Sequence, residues 1–312
     1  MTARVLDGQG LAVRMQEEIK PAVAAFASRH GRPPGLGILL VGNDPASEVY
    51  VRNKVRAGTG VGFRVDLQRL PDTASLDDVL AVVDRLNGDE GTDGILVQSP
   101  LPKSMGAGAQ QRVFDTIAAD KDVDGFGAES VGLLVQNRPT LVACTPAGII
   151  EMLEREGIQI ARRHAVVIGR SDIVGKPMAM LLLHRDATVT ICHSRTPDLA
   201  GMCRQADILV AAVGRPGLVT RDYVKPGAIV IDVAINRVTD QAVASSLYPE
   251  GHRRLEQFRS KGSMLVGDVH PEVADVAGAL TPVPGGVGPL TITMLMHNTL
   301  RAARARVGEA AA

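Results

Sequence analysis

The sequence alternates short, apolar, β-rich runs with longer segments whose apolar residues recur every three or four positions. This alternation is typical of βαβ units, in which parallel strands are connected by helices that cover the sheet. It occurs in two series along the 312 residues, a length that itself corresponds to about two domains. We therefore predict an α/β fold with two α/β domains.

The first series predicts a small parallel sheet in the first half of the chain. Strands are predicted at residues 36–42, 64–70 and 93–99, and helices at 46–60 and 75–88. Each helix connects two of these strands, as a parallel crossover requires.

The second series begins near residue 145 and predicts a Rossmann-type domain. After a helix at 147–156, strands are predicted at 164–169, 187–192, 207–214, 228–233 and 264–269. These runs are continuously apolar, as expected of strands that are covered on both faces. A last amphipathic helix is predicted at 289–307. We expect it to pack back on the first domain, because its apolar face must be buried.

Charge and hydropathy exclude two classes of partner. Thirty-four Lys and Arg balance thirty-four Asp and Glu, so the chain has no overall positive field to hold a polyanion. With five Phe, three Tyr and no Trp, few aromatic surfaces are available for stacking on bases. The longest apolar stretches, such as 178–183, fall far short of the ~20 residues that span a bilayer. We therefore expect neither nucleic acid nor a membrane as a partner.

The cysteines indicate a reducing compartment. Cys144, Cys192 and Cys203 cannot all pair within the chain, and none belongs to a CxxC motif that would suggest a metal or redox site. The first ten residues contain no apolar segment typical of a secretory signal. A cytoplasmic protein without a metal centre is therefore predicted.

A glycine-punctuated turn, GRSDIVG (169–175), follows the predicted strand 164–169 and precedes a helix. Such a turn presents backbone N–H groups and the positive end of the helix dipole to an anion, as in dinucleotide sites. Ser171 stands at the middle position of GxGxxG, so the match is incomplete. A tight strand-to-helix turn without a ligand is the alternative.

The next strand favours NADP over NAD. An acidic residue at its end would bind the ribose 2′-hydroxyl of NAD, but this chain has His193, Ser194 and Arg195 there. Hydroxyl and guanidinium groups suit a 2′-phosphate instead. A solvated polar turn is the alternative.

A lysine in the predicted helix 46–60 is a candidate for acid–base chemistry. Tyr50 and Lys54 are four residues apart and share one helical face. A partly desolvated lysine can serve as a general base. A solvated helix face with no chemical role is the alternative.

Three further features could line a ligand site. Gln98 ends the predicted strand 93–99, and Asp124 lies in the turn KDVDGF (121–126); polar groups at the ends of parallel strands commonly line ligand crevices. The loop TPVPGGVGP (281–289) is rigid and exposes backbone, which suits a flat ligand. A strand-end cap, an Asx-turn and a plain helix-entry turn are the respective alternatives.

The chain closely resembles the bifunctional methylenetetrahydrofolate dehydrogenase/methenyltetrahydrofolate cyclohydrolase family over almost its whole length. The resemblance rests on eight ordered blocks: VGNDPASEVYVRNK (41–54), GILVQSPLP (94–102), DKDVDGF (120–126), CTPAGI (144–149), VVIGRSDIVGKPM (166–178), ATVTICHSRT (187–196), PGAIVIDVAINR (226–237) and TPVPGGVGPLT (281–291).

The resemblance implies an activity and an organisation. The activity is NADP-dependent oxidation of 5,10-methylenetetrahydrofolate, followed by hydrolysis of the methenyl product to 10-formyltetrahydrofolate in one-carbon metabolism. Two α/β domains would flank a cleft. Residues 1–145, completed by 282–312, would form the folate-binding catalytic domain, and residues 146–281 the NADP-binding domain. Such proteins are usually homodimers through the cofactor domain.

It also implies roles for individual residues. Lys54 would be the catalytic lysine, Tyr50 its companion beside the pterin, Gln98 a modulator of the lysine and Asp124 the anchor of the pterin ring. The residues implied to contact NADP are Gly169, Arg170, Ser171, Ser194 and Ile235. The loop from Pro284 through Gly285 and Gly286 to Gly288 would lie against the folate.

The chain departs from the family pattern at three places. Ser99 replaces the usual Leu, Gly127–Ser130 stands where many members have His-Pro-x-Asn, and Ala234 occupies a position that is often Gly. These changes bear on the shape of the pocket and on the balance of the two activities. Two other functions stay open: a dehydrogenase for another small substrate, and a folate or nucleotide sensor without turnover.

Overall fold

The structure is a computed structural model that describes residues 2–138 and 140–309. Its strands are β1 (Arg4–Val5), β2 (Gly35–Val41), β3 (Arg64–Leu70), β4 (Gly94–Val97), β5 (His164–Ile168), β6 (Thr188–Cys192), β7 (Ile208–Ala211), β8 (Ile229–Asp232), β9 (Asn236–Val238), β10 (Met264–Val266) and β11 (Ala279–Leu280). Its helices are α1 (Gly8–His30), α2 (Pro45–Val61), α3 (Leu76–Gly88), α4 (Ala109–Thr116), α5 (Ala128–Val135), α6 (Cys144–Arg155), α7 (Gly175–Leu183), α8 (Leu199–Cys203), α9 (Gln241–Leu247), α10 (Arg253–Lys261) and α11 (Val287–Arg306).

The chain forms two compact units. One comprises Ala12–Cys144 and the chain from Thr291 onward, and we call it the three-stranded unit after its sheet. The other comprises the chain up to Leu11 and Thr145–Leu290, and we call it the six-stranded unit. The two-domain α/β fold predicted from the sequence is confirmed.

The three-stranded unit is built around β2, which lies between β3 and β4 with both pairings parallel. Alternate residues of a strand point to opposite faces, and β2 is buried throughout. Leu36, Ile38 and Leu40 pack with α1, α2 and α11 on one face. Leu39 and Val41 pack with α3 and α4 on the other. Because helices cover both faces of the sheet, the residues of β2 are apolar on both faces.

Helix α11 contributes Leu295, Met296 and Leu300 to the core of this unit. The expectation that the last helix packs on the first domain is therefore confirmed. Helix α1 was not predicted. Its apolar residues recur every three or four positions, but Pro21 lies inside it and interrupts the pattern of a typical helix.

The six-stranded unit contains a parallel sheet in the order β1-β11-β8-β7-β5-β6. The chain passes from β5 to β6 on one side and then to β7 on the other, so the strand order reverses at β5. In open α/β sheets, ligands bind outside the carboxyl ends of the strands at such a reversal. The turn 169–175 follows β5 and therefore lies at this point.

The predicted strand at 264–269 does not join this parallel sheet. Its residues form β10, which pairs antiparallel with β9 in a separate two-stranded ribbon. Helices α9 and α10 lie between the two strands in sequence, and the ribbon and helices share a hydrophobic cluster that includes Leu247, Leu255 and Phe258. The two-residue strands β11 and β1 occupy the sheet edge instead, and they are too short to leave a periodic pattern.

A buried lysine ties α3 to the segment that carries the candidate carboxylate Asp124. Lys121 is 1% exposed, and its Nζ donates to the carbonyl oxygens of Leu86 (3.0 Å), Asn87 (2.7 Å) and Asp89 (2.9 Å). These carbonyls belong to the end of α3, where the helix leaves acceptors unpaired. The ammonium also complements the negative end of the helix dipole.

We predict that Lys121→Met lowers the free energy of unfolding by about 3 kcal/mol, because carbonyl acceptors at the end of α3 lose a charged donor. Urea unfolding monitored by circular dichroism measures this change. Lys103→Met is the matched control, since Lys103 is exposed, and it should change stability by less than about 0.5 kcal/mol. Equal stability of both variants would contradict the role assigned to Lys121.

Candidate functional site

Lys54 lies near the middle of α2. The helix begins after Asp44, whose carboxylate accepts from Ser47 N at 2.8 Å, and ends at Gly62 in the left-handed conformation. The Lys54 side chain is half-buried, and its Nζ donates to Oε1 of Gln98 at 3.0 Å. The lysine and the glutamine, which are 44 residues apart, therefore share one site.

Gln98 is held in one orientation. Its backbone N–H donates to Leu39 O at 2.9 Å, which continues the pairing of β4 with β2. Its side-chain Nε2 donates to the carbonyl oxygen of Ser99 at 2.6 Å. Because the amide N–H is used there, the amide oxygen is the atom that faces Lys54. The hydrogen bond to the Ser99 carbonyl therefore fixes which end of the Gln98 amide faces Lys54.

The turn around Asp124 is formed by the carboxylate of Asp122. Asp122 is buried, and its carboxylate accepts from the N–H groups of Gly125 (3.0 Å), Phe126 (3.3 Å) and Gly127 (2.9 Å). Gly125 has φ +67°, and a Cβ there would lie 2.7 Å from Val142 C, so only glycine permits this close approach. An Asx-type turn exists, but Asp122 supplies it rather than Asp124.

The pKa of Asp124 is higher than that of an exposed aspartate. Burial raises the pKa of Asp124 to about 6, and the nearby charge of Lys54 acts in the opposite direction. The negative charge of Asp122 raises this pKa further, whereas a hydrogen bond with the Cys144 thiol lowers it. Lys54, Gln98 and Asp124 are therefore brought together in the three-stranded unit.

Two residues that sequence reasoning missed hold the backbone before Asp124. Cys144 Sγ donates to Val123 O at 3.3 Å, and burial raises the pKa of this thiol. Asn298 of α11 donates through Nδ2 to Val123 O at 2.8 Å and to Val142 O at 2.9 Å. No local pattern around Cys144 predicts its contact with Val123. A polar residue within the apolar stripe of the last helix is the pattern that could have indicated Asn298.

Tyr50 and two of the departures from the family pattern flank this cluster. Tyr50, one turn before Lys54 on α2, is 40% exposed. Ser99 carries a buried Oγ with no hydrogen-bond partner among the described residues. Gly127 is bonded to Asp122, as described above, and begins the departing segment 127–130. Ser99 is therefore adjacent to Gln98 of the cluster, and Gly127 contacts the carboxylate that forms the turn around Asp124.

The turn after β5 is closed by its own serine. Gly169 has φ +127°, and a Cβ there would lie 2.4 Å from Ala212 O, so a side chain is excluded. Ser171 Oγ accepts from Val174 N (3.2 Å) and Gly175 N (3.3 Å) at the start of α7. Two N–H groups that the sequence pattern offered to an anion are thus already bonded to Ser171.

Exposed donors surround that turn. β5 and β6 are parallel, with Ile168 opposite Cys192, so the segments that follow the two strands begin side by side. Arg170 and Ser171 follow one strand, and Ser194 and Arg195 follow the other; all four are exposed. Their hydroxyl and guanidinium groups fit the phosphates of a dinucleotide, which supports the predicted site even with the helix start capped.

Two buried carboxylates, neither predicted, build the loops at the ends of β7 and β8. Asp268 is fully buried and accepts from the N–H groups of Val213 (2.7 Å), Gly214 (3.0 Å) and Arg215 (2.6 Å), and from Asn236 Nδ2 (3.0 Å).

Asp232 in turn holds Asp268. Its carboxylate accepts from the N–H groups of Asp268 (2.8 Å) and Val269 (3.0 Å). Burial raises the pKa of Asp232 to about 7, although these hydrogen bonds act to lower it. Gly267 must be glycine, because a Cβ there would lie 1.7 Å from Asp232 Oδ2. The two carboxylates therefore fix the loops on both sides of the strand ends.

Ile235 and the loop 281–289 are neighbours within the six-stranded unit. Ile235 is 37% exposed, and its Cδ1 lies 3.4 Å from the position that a Cβ on Gly288 would take. Thr281 Oγ1 accepts from Asp232 N at 2.7 Å and fixes the start of the loop. Pro284 is exposed, Gly285 has φ +105° and Gly286 is buried.

Over the described residues, no helix is long and apolar enough to cross a membrane. Within the same ranges, no group of three or more His, Cys, Asp or Glu side chains is arranged to hold a metal ion.

The fold and its candidate sites define a two-domain dinucleotide-dependent enzyme. One α/β unit carries a glycine turn at the reversal of strand order, and the other carries the cluster of a lysine, an amide and a carboxylate. Two family models match the chain: the catalytic domain of tetrahydrofolate dehydrogenase/cyclohydrolase at residues 6–124, and its NAD(P)-binding domain at residues 143–307. The chain belongs to the tetrahydrofolate dehydrogenase/cyclohydrolase family.

Individual relatives agree over their full length. The chain is 53% identical over 306 residues to the bifunctional protein FolD of Solibacter usitatus, covering 98% of this chain and 99% of the relative. The FolD crystal structure from Campylobacter jejuni superposes with a TM-score of 0.87 at 37% identity, covering 97% and 99%. The Trypanosoma brucei FolD complexed with NADP and an inhibitor gives a TM-score of 0.87 at 38% identity, with 99% of both chains covered.

These comparisons confirm the predicted family and the predicted enzyme class. They also confirm a nicotinamide dinucleotide as the cofactor, at the level of NAD(P). The roles of individual residues stay predictions.

We predict that Asp268→Asn weakens NADP binding by about tenfold, equivalent to about 1.4 kcal/mol. An amide in place of the carboxylate presents a donor to N–H groups, so the loops at the ends of β7 and β8 lose their fixed positions. Titration of NADPH fluorescence gives the dissociation constant, and thermal unfolding gives the stability of the same preparation.

Asp207→Asn is the control for this experiment. Asp207 accepts from His164 N (3.0 Å) and Lys225 Nζ (2.7 Å), at the amino ends of the strands and away from the cofactor edge. This variant should lose stability while keeping its NADP affinity. Unchanged NADP affinity in Asp268→Asn, or an equal loss in both variants, would contradict the assignment.

Proposed function

We propose that this chain oxidises 5,10-methylenetetrahydrofolate with NADP and hydrolyses the 5,10-methenyl product to 10-formyltetrahydrofolate. The observation that carries the proposal is the cluster of Lys54, Gln98 and Asp124, which joins a directed amine to a carboxylate that the surrounding turn does not use. It lies in the part of the chain that matches the family's catalytic domain, up to Asp124. The solved structures from Campylobacter jejuni and Trypanosoma brucei named above are of methylenetetrahydrofolate dehydrogenase/cyclohydrolases.

In this proposal Asp124 anchors the pterin. Its carboxylate is not used by the turn that carries it, so it can accept charge-assisted hydrogen bonds from the amino and ring N–H groups of the ligand. With a pKa of about 6, it is ionised at neutral pH. Tyr50, exposed on α2, offers a flat ring beside the pterin.

Lys54 is the general acid and base of the hydrolysis. Its Nζ donates one N–H to Gln98, whose amide oxygen is directed by the carbonyl of Ser99. In its neutral form the amine still has a lone pair, with which it takes a proton from the water that attacks the methenyl carbon. The resulting ammonium returns that proton to the departing ring nitrogen, so one group serves both steps.

The oxidation step depends on positioning. The residues proposed to hold NADP are Gly169, Arg170, Ser171, Ser194, Arg195 and Ile235. The chemistry that NADP would supply when bound is acceptance of a hydride from the methylene carbon. The loop with Pro284, Gly285 and Gly286 is proposed to lie against the folate. A close, aligned arrangement of reactants can supply ~7 to 11 kcal/mol of rate enhancement.

We also propose the domain roles, a homodimer and a cytoplasmic location. Residues 1–145 with 282–312 would bind folate, and residues 146–281 would bind NADP. The family resemblance supports dimerisation through the cofactor domain. The three cysteines are buried and carry free thiols, which suits a reducing compartment.

We predict that Lys54→Met lowers kcat for methenyl hydrolysis by at least about a hundredfold, the lower range for loss of a general acid–base group. Decay of the methenyl absorbance measures hydrolysis, and appearance of NADPH on adding 5,10-methylenetetrahydrofolate measures the dehydrogenase. Binding of the folate should persist, because Asp124 is intact.

Lys20→Met provides the comparison for Lys54→Met. Lys20 is a helical lysine paired with Glu17 at 2.6 Å, and its replacement should leave both rates within about twofold of the original protein, as is usual for surface changes. Full hydrolysis by Lys54→Met would refute the mechanism. Wild-type protein without either activity would refute the proposed function.

We predict that folate affinity falls as the pH is lowered through about 6. The pKa of Asp124 is raised by burial to about 6, so protonation below that pH removes the charge that holds the pterin N–H groups. At pH about 5 only about one tenth of this carboxyl is ionised, so affinity should be about tenfold weaker than at pH 7. Calorimetric titration with folate at several pH values measures this dependence.

Asp124→Asn is the reference for the pH experiment. Its affinity should be low and nearly independent of pH in this range, because the amide does not titrate. A wild-type affinity that stays constant between pH 5 and pH 7 would contradict the role of Asp124.

A further inference from the structure

The thiol of Cys144 is buried beside the turn that carries Asp124. The side chain is 2% exposed and packs in the same hydrophobic cluster as Val123. The segment before it lies directly on the turn, because a Cβ on Gly125 would lie 2.8 Å from Ala143 N. All of these residues belong to the three-stranded unit. Packing therefore holds the sulfur next to the turn and away from solvent.

Burial also decides what this thiol can do. It raises the pKa of Cys144 well above its usual value, so the sulfur keeps its proton throughout the neutral pH range. A protonated thiol is a hydrogen-bond donor with a single proton and a poor nucleophile. Cys144 therefore acts on its neighbours through the placement of that one proton.

Two acceptors lie within reach of the thiol proton among the described residues. One is the carbonyl oxygen of Val123, which is 3.3 Å from Sγ. The other is the carboxylate of Asp124, which forms a hydrogen bond with the same thiol. The acceptors belong to consecutive residues, so rotation about the Cβ–Sγ bond of Cys144 redirects the proton from one to the other.

Asn298 of α11 releases the thiol from the carbonyl. Its Nδ2 donates to Val123 O at 2.8 Å and to Val142 O at 2.9 Å, and it lies 3.5 Å from Sγ of Cys144. The Val123 carbonyl is thus already paired, through a shorter bond and with a better donor than S–H. When the thiol turns away, no buried acceptor is left unpaired, so the movement avoids the cost of an unsatisfied polar group.

The charge on Asp124 decides between the two acceptors. Hydrogen bonds to an ionised carboxylate are roughly twice as strong as those between neutral groups, so ionised Asp124 attracts the thiol proton. The ionisable groups that act on Asp124 are Lys54 of α2, whose charge favours the carboxylate, and Asp122 of the same turn, whose charge opposes it. Helix α11 faces the turn with the neutral amide of Asn298. The thiol is therefore a neutral donor that adds to the effect of Lys54.

We propose that Cys144 is a positioning residue for Asp124. Its S–H donates to the carboxylate when Asp124 is ionised and to Val123 O when Asp124 is protonated, and Asn298 holds the carbonyl in both states. The thiol thereby keeps the carboxylate ionised and oriented for the N–H groups of a bound pterin. This inference rests on the proposed function, because it takes the pterin as the ligand of Asp124. It adds a residue that acts on the substrate through Asp124.

Removal of the thiol should move the pH dependence of folate binding. Cys144→Ala removes the donor, so protonation of Asp124 becomes easier and its pKa rises. The pH at which folate affinity falls should therefore rise by about 0.5 to 1 pH unit, as expected when a charged acceptor loses one weak donor. Cys144→Ser keeps a donor at this position and should return the midpoint to the wild-type value. Calorimetric titration with folate between pH about 5 and pH about 8 measures these midpoints.

Two comparisons separate this effect from damage to the fold. At pH about 8, Asp124 is ionised in every variant, so the affinities should agree there, whereas a disrupted site would bind weakly at every pH. Cys203→Ala removes a thiol that is also fully buried but belongs to the six-stranded unit. Its midpoint should equal that of the wild type.

The S–H stretching vibration provides a test that needs no folate. The infrared difference between the wild type and Cys144→Ala isolates the band of this thiol. When the pH is raised from about 5 to about 8, the band should shift to lower frequency, because the hydrogen bond to the ionised carboxylate is the stronger one. In Asp124→Asn, whose amide does not titrate, the band should stay in one place.

Equal pH midpoints in the wild type and Cys144→Ala would overturn the proposal, and so would an S–H band that does not move with pH. A midpoint in Cys144→Ser equal to that in Cys144→Ala would assign the effect to packing and would also overturn it. If the protein binds no folate, the proposed function fails, whereas a band shift that is lost in Asp124→Asn still supports the bond between the thiol and the carboxylate.

Discussion

Coverage of both faces of a parallel sheet is the constraint on which the rest of the structure depends. Strands such as β2 and β5 are covered by helices on both faces, so the side chains on both faces of the sheet are apolar. Polar side chains are left to the carboxyl ends of the strands, where the chain turns into helices. Gln98 after β4 and the glycine turn after β5 both follow this rule, although they belong to different units.

Buried carboxylates organise those strand ends. Asp122 and Asp268 each accept several backbone N–H groups and fix a loop, and Asp232 supports Asp268. Burying a charge is costly unless hydrogen bonds compensate for it, and here the compensating donors are the loops themselves. The two neighbouring carboxylates therefore differ in what they contact. Asp122 forms a turn, whereas Asp124, two residues later, takes no part in that turn and lies near Lys54 and the Cys144 thiol.

Much of this could be predicted from the sequence. The strands β2 to β8 and the helices α2, α3 and α11 could be predicted because their apolar residues recur at the spacing of a strand or a helix. Of the candidate residues, Lys54 shares a face of α2 with Tyr50, Gln98 follows β4, and Asp124 lies in a turn. Other features left no local pattern. The antiparallel pairing of β10 depends on a partner 26 or more residues away, and Cys144 and Asn298 act through contacts with Val123 that only the folded chain creates.

The sequence by itself determined the α/β class, the two series of strands and the family, because hydrophobic periodicity and ordered motifs are local properties. Only the tertiary structure decided which of Asp122 and Asp124 forms a turn, that Ser171 accepts hydrogen bonds from N–H groups at the start of α7, and that Arg253 and Lys261 of α10 line one groove. These outcomes depend on burial, on hydrogen-bond partners and on which faces meet. Such properties arise between segments far apart in the chain, where neither composition nor spacing carries information.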